Sequence, residues 1–104
     1  MLFETERIVT PALPLALHQN SPNPFNPSTT ISYYLPERMR VLLDIYDVSG
    51  RLVARLVDEE QQPGDKAVQW DGRGMRGERA SSGVYYYRLQ AGKGVISRTM
   101  VLLR

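Results

Sequence analysis

The chain has 104 residues, a formal charge of +2 and no cysteine, with 42% hydrophobic and 23% charged residues. That length supports one modest core and not two, and the composition is that of an ordered globular domain. Eleven arginines and two lysines are scattered among eleven acids, so nucleic acid is excluded for want of a basic stripe, and the absence of cysteine excludes disulfides and thiolate metal sites.

Residues 1–16 read as an N-terminal extension. They lack a charged start followed by an apolar signal core, and no apolar run in the chain approaches bilayer-spanning length. An exported protein would therefore have its leader elsewhere, and the chain would be a mature form or an excised fragment. Within Ile8 to Leu17, the apolar residues Ile8, Val9, Leu13, Leu15 and Leu17 suggest a strand. Pro11 and Pro14 each remove a ladder donor and confine it to an edge. It pairs either with its own domain or with a neighbouring copy.

Asn20 to Ile31 packs three prolines and three asparagines around one aromatic. Each proline fixes its own φ and pushes the residue before it toward extended geometry. Asparagine side chains close short turns onto nearby backbone. The result is a stiff strap, Asn23-Pro24-Phe25-Asn26-Pro27, with Phe25 as its only large apolar anchor.

Six segments then read as strands: Thr29–Leu35, Val41–Val48, Arg51–Val57, Lys66–Trp70, Val84–Gln90 and Val95–Leu103. They are rich in β-branched and aromatic residues and bounded by turn formers. Alternation points Val41, Leu43 and Ile45 inward and Leu42, Asp44 and Tyr46 outward. It likewise points Tyr85, Tyr87 and Leu89 inward. Asp47 to Gly50 forms a hairpin turn in which Gly50 takes positive φ. Gln61 to Gly64 is a second turn, and Ala91 to Gly94 closes a hairpin between the last two strands. With the N-terminal segment, the expectation is an all-β, immunoglobulin-like antiparallel sandwich of about seven strands.

The chemical motifs are weak. Gly72 to Gly77 matches G-x-G-x-x-G, but it joins two strands and opens no helix, so it reads as a turn. Calcium takes six to eight oxygens, for which Asp71, Glu78 and a few carbonyls are a thin supply. The favoured reading is an Asx-turn under Trp70 and no cofactor. His18 is the single histidine and has no nucleophile motif beside it. Asp58-Glu59-Glu60 reads as a solvated loop between strands, not as a glycosidase pair. Trp70 with Tyr85 to Tyr87 invites a carbohydrate reading, which ranks low because only Tyr86 of the tyrosine run points outward.

Laid side by side, the strap, Tyr46 to Val53 with Gly50, Trp70-Asp71-Gly72, the run from Ser82 through Gly83 and Tyr85 to Leu89, and Thr99 to Arg104 are informative as an ordered series. From Leu17 to Arg104 the chain resembles a type A C-terminal sorting domain of the bacterial type IX secretion system, a family similar to the immunoglobulin-like domain of the flagellar hook-capping protein. The resemblance implies a noncatalytic module of a secreted or cell-surface bacterial protein, placed at the C-terminus of larger cargo and read by the outer-membrane secretion machinery. It implies that the recognition surface lies in Lys93 through Arg104, with Lys93, Gly94, Met100, Val101, Leu102, Leu103 and Arg104 as its residues. The competing expectation is a self-assembling extracellular subunit that donates its N-terminal strand to a copy of itself.

Overall fold

The computed structural model describes residues 13–104. Ile8 and Val9 therefore lie outside the described residues. Seven strands follow: β1 Ala16–Leu17, β2 Thr29–Leu35, β3 Met39–Asp47, β4 Leu52–Gln61, β5 Gly64–Trp70, β6 Gly83–Ala91 and β7 Gly94–Leu102. They form an antiparallel three-stranded sheet in the order β1-β2-β5 and an antiparallel four-stranded sheet in the order β4-β3-β6-β7. The two inner faces meet in one core, giving the expected immunoglobulin-like sandwich. Among the described residues no helix is long and apolar enough to cross a membrane.

The inward residues are those that alternation selects. Val41, Leu43, Ile45, Tyr87 and Leu89 are fully buried, and β2 alternates buried and half-buried along its length. Tyr85 starts β6 inside the core and its hydroxyl donates to the Ser81 carbonyl at 2.7 Å, the tyrosine corner of immunoglobulin-like sandwiches. Gly50 has φ 88° in the β3–β4 turn. The Asp47 carboxylate closes that turn by accepting from the Ser49 and Arg51 N–H groups. The Ser49 hydroxyl is the main cause that holds the Asp47 carboxyl below its usual range.

One feature departs from the sequence reading, and two add to it. Asp58, Glu59 and Glu60 are not a loop: they extend β4, opposite Leu42, Val41 and Arg40 of β3. Ion pairs from Asp58 to Arg40 and from Glu60 to Arg38 hold the acids to neighbouring arginines, while the strand's outer edge faces solvent. The turn Gln61 to Gly64 does not join neighbours in one sheet. It carries the chain from β4 across to β5 in the other sheet. The N-terminal strand is two residues long among the described residues, and Leu15, which precedes it, packs on Gly94. Leu15 and Ala16 thus sit against the sandwich within the segment read as an extension.

The β3–β4 ladder shifts register between Leu43 and Asp44 and between Ile45 and Tyr46. The first shift adds Leu56 to β4, so that Val57 and Ala54 both face the core although they are three residues apart. The same shift sets Arg55 opposite Asp44. Asp44 points off the core as alternation requires, yet it is only 1% exposed. Arg55 grips it with two bonds of 2.8 and 3.0 Å, and the Tyr46 hydroxyl donates to it at 3.2 Å. Arg88 lies over the Tyr46 ring, 4.7 Å from its centroid, and donates to the same hydroxyl.

Candidate functional site

Between β1 and β2, which share a sheet, the strap reaches over to β7 of the other sheet and returns, and Phe25 fixes where it lands. Its side chain is 2% exposed, its ring lies 5.7 Å from that of Trp70, and Trp70 in turn meets Tyr85 edge-on at 5.5 Å. With the ring anchored, the Phe25 N–H donates to the Val101 carbonyl at 2.9 Å and the Leu103 N–H donates to the Phe25 carbonyl at 3.0 Å. This is a parallel bridge onto the outer edge of β7. Asn23 Oδ1 accepts the Val101 N–H and Gln19 Nε2 donates to the Thr99 carbonyl, each at 2.9 Å. The strap thereby closes the C-terminal half of an edge that would otherwise template foreign strands.

A polar knot behind the strap makes its path unique. Asn20 is 3% exposed. Its N–H donates to the Tyr87 hydroxyl, which donates to the His18 carbonyl, and its Nδ2 reaches the Pro22 carbonyl and Thr29 Oγ1. Burial pushes the Tyr87 phenol above its usual 10.0. No buried side-chain polar atom among the described residues lacks a partner, so this knot specifies one geometry without leaving an orphan. His18 itself contributes backbone groups to the knot and to β2, and its ring is not part of it.

The segment after β7 is fastened too. Arg104 donates from its N–H to Ser82 Oγ at 2.8 Å, from Nε to the Ala80 carbonyl at 2.6 Å and from Nη2 to the Gly72 carbonyl at 2.8 Å. Gly72 is buried with φ 76°, and a Cβ there would stand 2.9 Å from the Pro27 carbonyl and 3.0 Å from Arg104 Nη2. Gly72→Ala should therefore destabilise the domain by about 1–3 kcal/mol. Gly77→Ala, with φ 83° but open space around it, should cost less; paired thermal melts check the order.

The residues carried over as a recognition surface divide into two groups. Met100 and Leu102 are core residues with no exposure, Gly94 lies under Leu15, and Val101 is half-buried with its backbone engaged by the strap. Lys93 and Leu103 are exposed, as is Val95, which was not singled out. Arg104 is exposed but held by its three bonds. Within β7, alternation turns Gly94, Met100 and Leu102 toward the core and Val95 and Val101 to the outer face.

The motif residues are structural. Asp71 Oδ1 accepts the Arg73 N–H at 3.0 Å, the Asx-turn expected, and Trp70 Nε1 donates to the Arg73 carbonyl at 2.9 Å. Gly74 and Gly77 close a tight turn in the G-x-G-x-x-G stretch, and no helix follows it. Glu78 Oε1 accepts the Arg76 N–H. No cluster of three or more His, Cys, Asp or Glu suited to a metal occurs among the described residues. Trp70, Tyr85 and Tyr87 are buried, so they form no aromatic platform; Tyr86 is 41% exposed. Gly83 has φ 153° where β6 begins. Of the proposed donor-strand residues, Leu17 is buried and Leu15 half-buried in their own sandwich, while Leu13 is 65% exposed.

Sequence reasoning missed Gln19 and Arg98, and it missed the long-range contacts of Asn20 with Tyr87 and of Ser82 with Arg104. Arg98 Nε donates to the Leu17 carbonyl at 2.6 Å and so ties β7 to β1. Nothing in local spacing signals these contacts, which join residues remote in the chain.

The family described as FlgD Ig-like domain matches residues 23–94. Dimeric latent PorU from Porphyromonas gingivalis is similar with a TM-score of 0.69 at 23% identity, over 93% of this chain and 10% of that one. FlgD from P. aeruginosa is similar with a TM-score of 0.58 at 23% identity, over 71% of this chain and 59% of that one. PorZ, an essential bacterial surface component of the type-IX secretion system of P. gingivalis, gives a TM-score of 0.57 at 23% identity, over 86% of this chain and 11% of PorZ. At these identities the likeness is one of fold, and the chain spans only a small part of PorU and PorZ. A search of curated proteins finds no match.

Proposed function

Because this chain belongs to the FlgD Ig-like domain family, we propose that it is a noncatalytic, cofactor-free C-terminal sorting domain that directs export to the bacterial cell surface by type IX secretion. Its partner in this reading is the secretion machinery at the outer membrane, and its signal is a folded surface. The observation that carries the reading is the placement of exposed apolar side chains. Of seven large ones left exposed among the described residues, four (Val84, Tyr86, Val95 and Leu103) lie on the outer side of β6 and β7 or just past the end of β7. Isolated exposed apolar residues need no explanation, but Val84, Tyr86 and Leu103 gather at one end of the β6–β7 pair, with Val95 at its other end, and such a gathering marks an interaction surface. The strap supports the reading by closing the C-terminal edge of β7, so that a receptor meets side chains and not a fraying end. The fold shared with PorZ agrees with it.

The test separates reading from folding. Val101→Asp with Leu102→Asp would be a poor probe, since Leu102 is in the core and the change would unfold the domain. Val95→Asp with Leu103→Asp alters only exposed positions. In a bacterium with a type IX system, a reporter fused ahead of the domain should reach the surface, and the Val95/Leu103 variant should retain it inside while its melting temperature is kept. Undiminished surface display by that folded variant would refute the proposal.

A further inference from the structure

The end of the sandwich away from the β6–β7 turn carries a cleft of about 840 Å³ between the β3–β4 turn and the loop leading into β6. Leu52 and Val53 are half-buried at its base, and Val48, Met75 and Val84 stand at its lips, 69%, 63% and 42% exposed. Its volume lies in the range of ligand clefts.

The charges around it are unequal in availability. Asp47 is occupied by the Ser49 and Arg51 N–H groups, the Ser49 hydroxyl and the Arg51 guanidinium. Glu78 turns back onto the Arg76 N–H and covers Gly74. The guanidinium groups of Arg76 and Arg79 have no ion pair among the described residues. An apolar base with a rim left net basic by Arg76 and Arg79 against the one remaining acid, Glu78, fits a short segment that carries large apolar side chains next to carboxylates.

The chain contains one such segment outside the described residues: Leu2-Phe3-Glu4-Thr5-Glu6. In extended form Glu4 and Glu6 share one side, about 7 Å apart. Its point of departure matters as well. Leu15 rests on Gly94 at the first residue of β7, whereas Val84 at the cleft pairs with Val101 near the last. The N-terminal segment thus leaves from the end of the sandwich opposite the cleft, the arrangement a head-to-tail contact requires.

We propose that this cleft receives Leu2 to Glu6 of a second copy of the chain, with Leu2 and Phe3 against Val48, Met75 and Val84, and Glu4 and Glu6 facing Arg76 and Arg79. The contact is heterologous, so it leaves a free segment at one end and a free cleft at the other and propagates as an open chain. It differs from strand donation, because Leu15 and Leu17 stay in their own sandwich. It also goes beyond the sorting role and does not depend on it.

A fluorescein-labelled peptide of residues 1–7, titrated with dilute full-length chain, should bind saturably and more weakly as salt is raised. The variant with Arg76→Glu and Arg79→Glu should bind it at least about tenfold more weakly. A peptide with Glu4→Lys and Glu6→Lys should be rejected by the native chain and bound by the charge-reversed variant, a rescue that misfolding cannot mimic. By light scattering, the native chain should gain mass with concentration and the arginine variant should remain a monomer. Equal binding by native and charge-reversed cleft would overturn the proposal. So would a native chain that stays monomeric up to about 1 mM, whether because the cleft is empty or because each tail folds back on its own cleft.

Discussion

Replacing Phe25 by alanine should lower the unfolding free energy of the domain by about 3–5 kcal/mol, the range for emptying a buried aromatic site. The ring is almost wholly buried against Trp70, and aromatic pairs of this kind add about 0.5–1.5 kcal/mol beyond area. No neighbour can refill the space, since the adjoining strap residues are asparagine and proline and stand exposed. Losing the ring also loosens the backbone it positions. Hydrogen exchange should therefore quicken first at the Val101 and Leu103 amides, whose acceptors are Asn23 Oδ1 and the Phe25 carbonyl, ahead of the β3 and β6 amides. Urea unfolding gives the magnitude and exchange gives the order. A loss below about 1 kcal/mol, within the ordinary spread of point mutants, would mean that the strap is held by its backbone and not by its anchor.

The second large effect concerns Asp44 and Arg55, and it should be lopsided. Arg55→Leu strands a carboxylate that is 1% exposed and keeps only the Tyr46 hydroxyl as a direct partner. Asp44→Leu leaves an arginine whose side chain is 39% exposed and can turn to water. Breaking a buried pair is costly chiefly through the charge left behind. Arg55→Leu should thus depress the melting temperature well below that of Asp44→Leu, and the double replacement should recover most of the difference. Equal single losses with simple additivity would show that the two side chains are not coupled.

Asp44 also marks where the sequence stops being readable. Period-two alternation sets its direction correctly, but whether an outward residue is wet depends on what stands across the strand. That is decided by a register shift which brings Arg55 beside it. The same limit explains Asp58 to Glu60: three acids in a row have the composition of a loop, and only the arginines that oppose or adjoin them make them strand. The strap was legible because its composition is local and leaves Phe25 as its one apolar group. Its landing place was not, since Phe25 and Leu102 are brought together by the fold and not by spacing. Lys93, Met100, Leu102 and Leu103 entered together through the resemblance, which does not separate them; the placed core takes Met100 and Leu102 and leaves Lys93 and Leu103 exposed.

The strap's partners lie in the segment that a ribosome delivers after every other strand. His18, Asn20, Gln19, Leu17 and Asn23 are joined to β6 and β7 across 67 to 81 residues. Until β7 emerges, the prolines and asparagines of the strap have no edge to close and Phe25 lacks half of its pocket. Native pairing of such remote parts comes late and is slow to nucleate. A nascent domain of this design therefore completes its sandwich only after synthesis has passed its final strand. Until then the contacts that tie the strap and β1 to β6 and β7 are unmade.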